Sequence, residues 1–128
     1  MATEGAIRKQ SMLAGADLSA AATQYKIVKI DTGAADTVTL VGTLGARGDG
    51  ILVNKPASGA VAELVEDGYG KALCGAAIAS AGLELTPDAT GRLITAVSTN
   101  IVFAISRNST AAAGEFVGVK ITGPYAKP

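Results

Sequence analysis

From Tyr25 to Ile121 the chain beats out short β-branched runs, broken by Gly, Pro, Asn and Asp clusters every eight to twelve residues or so. That rhythm suits a small β-barrel or β-sandwich and little else. Tyr25–Asp31 is aromatic and β-branched, and Thr32–Asp36 reads as a turn. Thr37–Val41 alternates, with Val38 and Leu40 on one face. Gly42–Gly50 reads as a loop, and Ile51–Val53 as a short strand stopped by Asn54-Lys55-Pro56, since Pro has no amide to give a ladder. Ala60–Glu66 and Tyr69–Cys74 flank Asp67-Gly68, the strongest hairpin signal in the chain. Gly75–Gly82 is Ala-rich and reads as a helical turn. Leu83–Thr86 and Leu93–Ala96 flank the turn Pro87-Asp88-Ala89-Thr90-Gly91. Ile101, Phe103 and Ile105 share one face of the next strand, and Val117, Val119 and Ile121 point inward from the last, with Lys120 outward.

Residues 1–24 differ in character. They hold few large apolar side chains and no sustained period, so the expected organisation is an N-terminal arm over 1–24 and a β domain over 25–128. Asp17–Gln24 is long enough for two helical turns capped by Asp17 or Ser19, or for an arm ordered by a partner; isolated helices that short are marginal in water. The fold class expected is mainly all-β: a small barrel or sandwich with short helical turns and an extended N-terminal arm.

Ile, Leu, Val and Phe supply 31 of the 128 residues, enough for a folded core, but Trp is absent and only five residues are aromatic. The core must be built from small aliphatics. Eleven basic and eleven acidic residues cancel, which argues against nucleic-acid or membrane partners that reward excess positive charge. The absence of His removes the usual general base and metal ligand, and a single Cys makes neither an internal disulfide nor a zinc site. No apolar run follows the charged N-terminus, and no stretch reaches membrane-helix length, so a soluble intracellular product is expected.

Motifs that carry chemistry fare poorly. Arg47-Gly48-Asp49 spells an integrin-ligand tripeptide but sits in a Gly-rich turn, and Asn108-Ser109-Thr110 is a sequon that reads as a polar turn. Glu63, Glu66 and Asp67 form the densest acidic cluster, read as a charged rim around a hairpin. Cys74 reads as a buried structural thiol. No catalytic residue, cofactor or metal ligand is assigned, and no enzyme activity is expected.

Several segments resemble the capsid decoration (cement) proteins of tailed bacteriophages. They are Ala16–Ala20 leading to Tyr25–Lys29, Gly50–Ala57 with its Asn-Lys-Pro, Ala60–Val65, Asp67-Gly68 with Lys71, Gly75–Ile78, Leu85–Arg92 with its Asp-x-x-Gly-Arg turn, and Ala113–Val119. The resemblance spans roughly residues 14–121; the Met1–Gln10 segment and the Gly-Pro-Tyr-Ala-Lys-Pro tail depart from it. It implies a virion protein made in the host cytoplasm that binds the outside of an expanded capsid, commonly as homotrimers at three-fold and quasi-three-fold sites. There it would clamp adjacent major capsid subunits. On this reading residues 1–24 dock on a neighbour, with Ile7, Met12, Leu13 and Leu18 as apolar anchors and Arg8 and Lys9 as polar ones. The alternative is an adhesion or carbohydrate-binding module on a virion surface or fibre, with Tyr25, Tyr69 and Tyr125 as stacking platforms.

Overall fold

A computed structural model describes residues 7–20 and 23–128, with side chains from Met12 onward. Among these residues the chain forms nine strands: β1 (Ile7–Ala14), β2 (Ile27–Ile30), β3 (Thr37–Leu40), β4 (Gly50–Leu52), β5 (Val61–Leu73), β6 (Glu84–Pro87), β7 (Leu93–Thr95), β8 (Ile101–Ser106) and β9 (Phe116–Ala126). The expected β-rich class is the one observed.

Five of the strands close into a barrel. β1 runs antiparallel to β5, from Ile7 opposite Gly68 to Leu13 opposite Val61, and parallel to β3, with Leu13 opposite Thr37. Antiparallel pairs β3–β2, β2–β4 and β4–β5 complete the ring. From the second half of β5 an open sheet continues through β9, β8, β6 and β7.

Each barrel strand sends small aliphatics inward: Ala14, Val28, Val38, Leu52, Ala62 and Leu64 form one buried cluster with Leu18. A second and larger cluster joins Ile27, Ile51 and Val65 on the barrel's outer wall to Leu85, Leu93, Phe103, Val117 and Val119 from the open sheet. β2, β4 and β5 are therefore buried on both faces where the two units meet. That explains why Ile27-Val28, Ile51-Leu52 and Leu64-Val65 are adjacent apolar pairs instead of alternating ones.

Two polar side chains fix the segments singled out in the sequence. Asn54 substitutes for a strand residue beside β5: its Nδ2 donates to the Val61 carbonyl at 2.9 Å and its Oδ1 accepts from the Glu63 amide at 3.0 Å. Asp88 Oδ1 accepts from the Thr90 amide and hydroxyl, each at 2.8 Å, and from the Arg92 amide at 3.0 Å. Gly91 follows at φ 84°, so the expected turn between β6 and β7 is present. Burial alone would raise the Asp88 pKa, but the hydrogen bonds from Thr90 and Arg92 and the Arg92 charge hold it below its ordinary 3.8.

Five local expectations are corrected. The segment read as lacking a period, Ile7–Ala14, is the strand that closes the barrel. Asp67-Gly68 makes no hairpin: β5 runs through it, and Gly68 at φ 82° faces both Ile7 of β1 and Ile121 of β9. Here the positive φ bends a strand leaving one unit for the other, since pairing partners on each side outweigh the local turn preference. The described part of Asp17–Gln24 contains no α-helix. Asp17 Oδ1 instead takes the Ser19 hydroxyl at 2.6 Å and its amide at 3.0 Å, a local turn that competes with a helix; Ala21 and Ala22 lie outside the described residues. Gly75–Gly82 holds no helical turn either, because Ile78 forms a bridge with Thr110. In β8 the buried set is Val102, Phe103, Ala104 and Ser106; the register with β9 shifts between Val102 and Ala104, which breaks the expected alternation of Ile101, Phe103 and Ile105.

Candidate partner-binding surfaces

The residues expected to anchor a partner separate once folded. Ile7, Arg8 and Lys9 lie on β1 opposite Gly68, Asp67 and Val65, with an irregularity between Arg8 and Lys9 that leaves Glu66 as the extra residue on β5. Leu18 is 3% exposed and packs into the chain's own barrel core, so it is not available as an anchor on a neighbour. Met12 is half-buried against the same core. Among the anchors whose side chains are described, Leu13 is the one that faces outward, 44% exposed, directly opposite Val61 at 52%. With Met12 and Asp36 these two line a shallow hollow at the β1–β5 seam. Residues 1–6 of the expected arm lie outside the described residues.

A second surface has no counterpart in the expected site. Tyr25 sits at φ 67°, a left-handed conformation that costs a bulky side chain about 1 kcal/mol or more. Two backbone hydrogen bonds hold it there: its amide donates to Leu52 O at 2.6 Å, and its carbonyl accepts from the Leu73 amide at 3.0 Å. The ring meets Phe116 edge to face, with centroids 5.2 Å apart. The Lys71 ammonium lies 4.8 Å from the Tyr25 centroid and 4.7 Å from that of Phe116. Nearby, the Arg107 guanidinium lies 4.6 Å from the Tyr69 centroid, and Lys120 stands opposite Tyr69 across the β5–β9 pair. Of the three tyrosines considered as stacking platforms, Tyr25 and Tyr69 thus each have a cation over the ring. Tyr125 belongs elsewhere, its hydroxyl donating to Glu84 Oε2 at 2.5 Å.

The motifs set aside in the sequence are occupied structurally. Arg47 Nε donates to Asp49 Oδ1 at 2.8 Å, while Asp49 Oδ2 accepts from the Ile30 amide at 2.8 Å. Gly48 is buried between them, and a Cβ there would fall 2.4 Å from Ile27 Cγ2. The tripeptide therefore staples a loop to β2 and does not project as a ligand. Glu66 and Asp67 line an open hollow with Asp49 and Phe103. Cys74 is fully buried, its Sγ 3.3 Å from Thr110 Oγ1 and 3.2 Å from the Ala112 carbonyl, as a structural thiol would be.

No protein-family model matches the chain, and no curated protein matches it. Among solved structures it is similar to the N base of head fiber gp8.5 in bacteriophage phi29, with a TM-score of 0.68 at 15% identity over 91% of this chain and 94% of that one. At that identity the likeness establishes a shared fold, extending over nearly the whole of both chains.

Proposed function

We propose that this chain is a structural component of a phage virion that binds the outer surface of the expanded capsid and clamps adjacent major capsid subunits. The observation that carries the reading is the shared fold with the phage head fiber base over 91% of this chain. The resemblance of Gly50–Ala57 and Leu85–Arg92 to decoration proteins supports it independently. Both segments are turns and strand ends whose polar side chains the fold uses structurally, which suits a part selected for shape and stoichiometry instead of turnover.

In this proposal the copies assemble as homotrimers at three-fold and quasi-three-fold sites, and the outer face of the β1–β5 seam faces the shell. Leu13 and Met12 would contact a neighbour with Val61, and Ile7, Arg8 and Lys9 would continue that contact along β1. Burying the exposed halves of Leu13 and Val61 is worth roughly 1 kcal/mol each, so one copy binds modestly and a full shell binds cooperatively through many such contacts.

The test is titration of purified wild-type and Leu13→Thr/Val61→Thr chains onto shells lacking this protein. The double variant should keep most of its thermal stability, because both side chains are half exposed and Thr retains the strand preference without setting like charges opposite each other, and lose about tenfold in affinity. Equal binding by both would overturn the β1 surface. Failure of the wild type to bind at all would overturn the capsid reading itself.

A further inference from the structure

The aromatic and cationic side chains on the outer face of β5 and β9 have no role in either core. Phe116 and Tyr69 are 47% and 44% exposed, large apolar areas to leave in water on one small sheet. Lys71, Arg107 and Lys120 surround them. Among the described residues the only side-chain ion pairs are Arg47–Asp49 and Lys127–Glu84, so no carboxylate lies within pairing distance of these three cations. The nearest acidic groups along the strands are engaged elsewhere: Asp67 Oδ1, two residues before Tyr69 on β5, accepts from the Gly68 amide at 2.8 Å, Glu115 Oε1 accepts from the Ala111 amide at 3.0 Å, and Glu84 binds Lys127 and Tyr125.

The cations are also held in place. Lys71 lies against two rings, and Arg107 reaches Tyr69 by crossing β9 at Gly118. A Cβ at Gly118 would sit 3.8 Å from Arg107 Cβ and 3.2 Å from Asn108 Oδ1, so the missing side chain clears the path. A long cation fixed by a ring loses less freedom when it captures an anion than one waving in solvent.

We infer that this face docks an acidic polypeptide surface, with Lys71, Arg107 and Lys120 taking Asp or Glu carboxylates around an apolar centre at Phe116 and Tyr69. Charge complementarity favours an anionic partner, since these three cations have no described carboxylate within pairing distance. Its mix of Tyr, Phe, Lys and Arg fits a protein interface, where aromatics and Arg concentrate. Nucleic acid and polysaccharide fit less well. Lys71 and Arg107 already cover one face each of the rings on which bases or sugars would stack. This inference does not depend on the virion reading of β1.

The test measures binding of the full chain to fluorescent poly-L-glutamate by anisotropy at low and physiological ionic strength, with oligo-dT and dextran sulfate as competing polyanions. Wild type should bind poly-L-glutamate saturably, and Lys71→Gln/Arg107→Gln/Lys120→Gln should weaken binding about tenfold, the sum of three exposed charge contacts. Phe116→Ser should lose affinity that added salt does not mask. Lys55→Gln, an exposed cation on another segment, should change binding less than about twofold. Circular dichroism checks folding; if the triple variant unfolds, Arg107→Gln/Lys120→Gln, which leaves Lys71 and its rings intact, takes its place with a loss of about threefold or more. No saturable binding to poly-L-glutamate, equal binding by the charge variants, or tighter binding to oligo-dT or dextran sulfate would each overturn the inference.

Discussion

Leu13 on β1 stands directly opposite Val61 on β5, and that pair sits where the first strand closes the barrel. One strand thus has two duties. Its inward residue Ala14 completes the small core with Leu18, Val28 and Leu64, while its outward residue Leu13 remains on the surface. The partner-binding surface proposed for β1 and the stability of the barrel are consequently linked.

Deleting residues 2–15 should therefore do more than weaken docking. It removes every described β1 pairing and leaves the edges of β3 and β5 open, so unfolding should become easier by at least about 3 kcal/mol, on the scale of losing a buried strand contribution. Urea denaturation checks this; an unchanged midpoint would mean that β1 does not hold the barrel closed.

Gly48→Ala should destabilise the fold by about 1–3 kcal/mol, since the added methyl meets Ile27 Cγ2 at 2.4 Å and Phe103 Cδ1 at 3.1 Å in packed surroundings. Arg47→Ala, whose side chain is 62% exposed in its pair with Asp49, should cost less than about 1 kcal/mol. Thermal melts of the two variants should rank in that order.

The clasp at Glu84 gives a pH dependence. Lys127, then Tyr125, hydrogen-bond the carboxylate and hold its pKa below the ordinary 4.5, while the Tyr125 hydroxyl is pushed above 10.0 chiefly by its bond to Glu84. A carboxyl depressed on folding contributes stability that is present above about 4.5 and is lost as pH falls through its folded value. Glu84→Gln should lower the melting temperature slightly at neutral pH and leave it nearly unchanged at low pH, where the wild-type carboxyl is itself protonated, so the acid limb is flattened. An identical acid limb in the variant would refute the clasp.

Cys74 should resist thiol reagents in the native protein and react rapidly once denaturant is added, because it is fully buried between Thr110 and the Ala112 carbonyl. Rapid labelling without denaturant would show that the β5–β9 end of the core opens readily.

Much of the strand pattern was legible, because Thr37–Leu40 and Phe116–Ile121 alternate and because Asp88 to Gly91 is a turn whose side chains make its hydrogen bonds locally. What escaped depends on partners distant in the chain. Ile7–Ala14 reads as IRKQSMLA, without a clean period of two, yet it is drawn into a strand by the open edges of β3 and β5. Asp67-Gly68 carries a genuine turn preference that the pairing of β5 with β9 overrides. The candidate surfaces were legible only in part. Leu13 could be named from its apolar character, whereas the burial of Leu18 follows from packing against Val28 and Leu52. The cluster of Tyr25, Lys71, Arg107 and Phe116 joins residues far apart in sequence, and only the finished sheet brings them together.

The measurement that bears most directly on the virion proposal is co-sedimentation of the purified chain with expanded capsids that lack it, counting bound copies per major capsid subunit. Saturation near one copy per subunit is the predicted result, as expected for trimers filling the three-fold and quasi-three-fold sites. Absence of binding would contradict the proposal, and saturation at only a few copies per shell would contradict the clamping role.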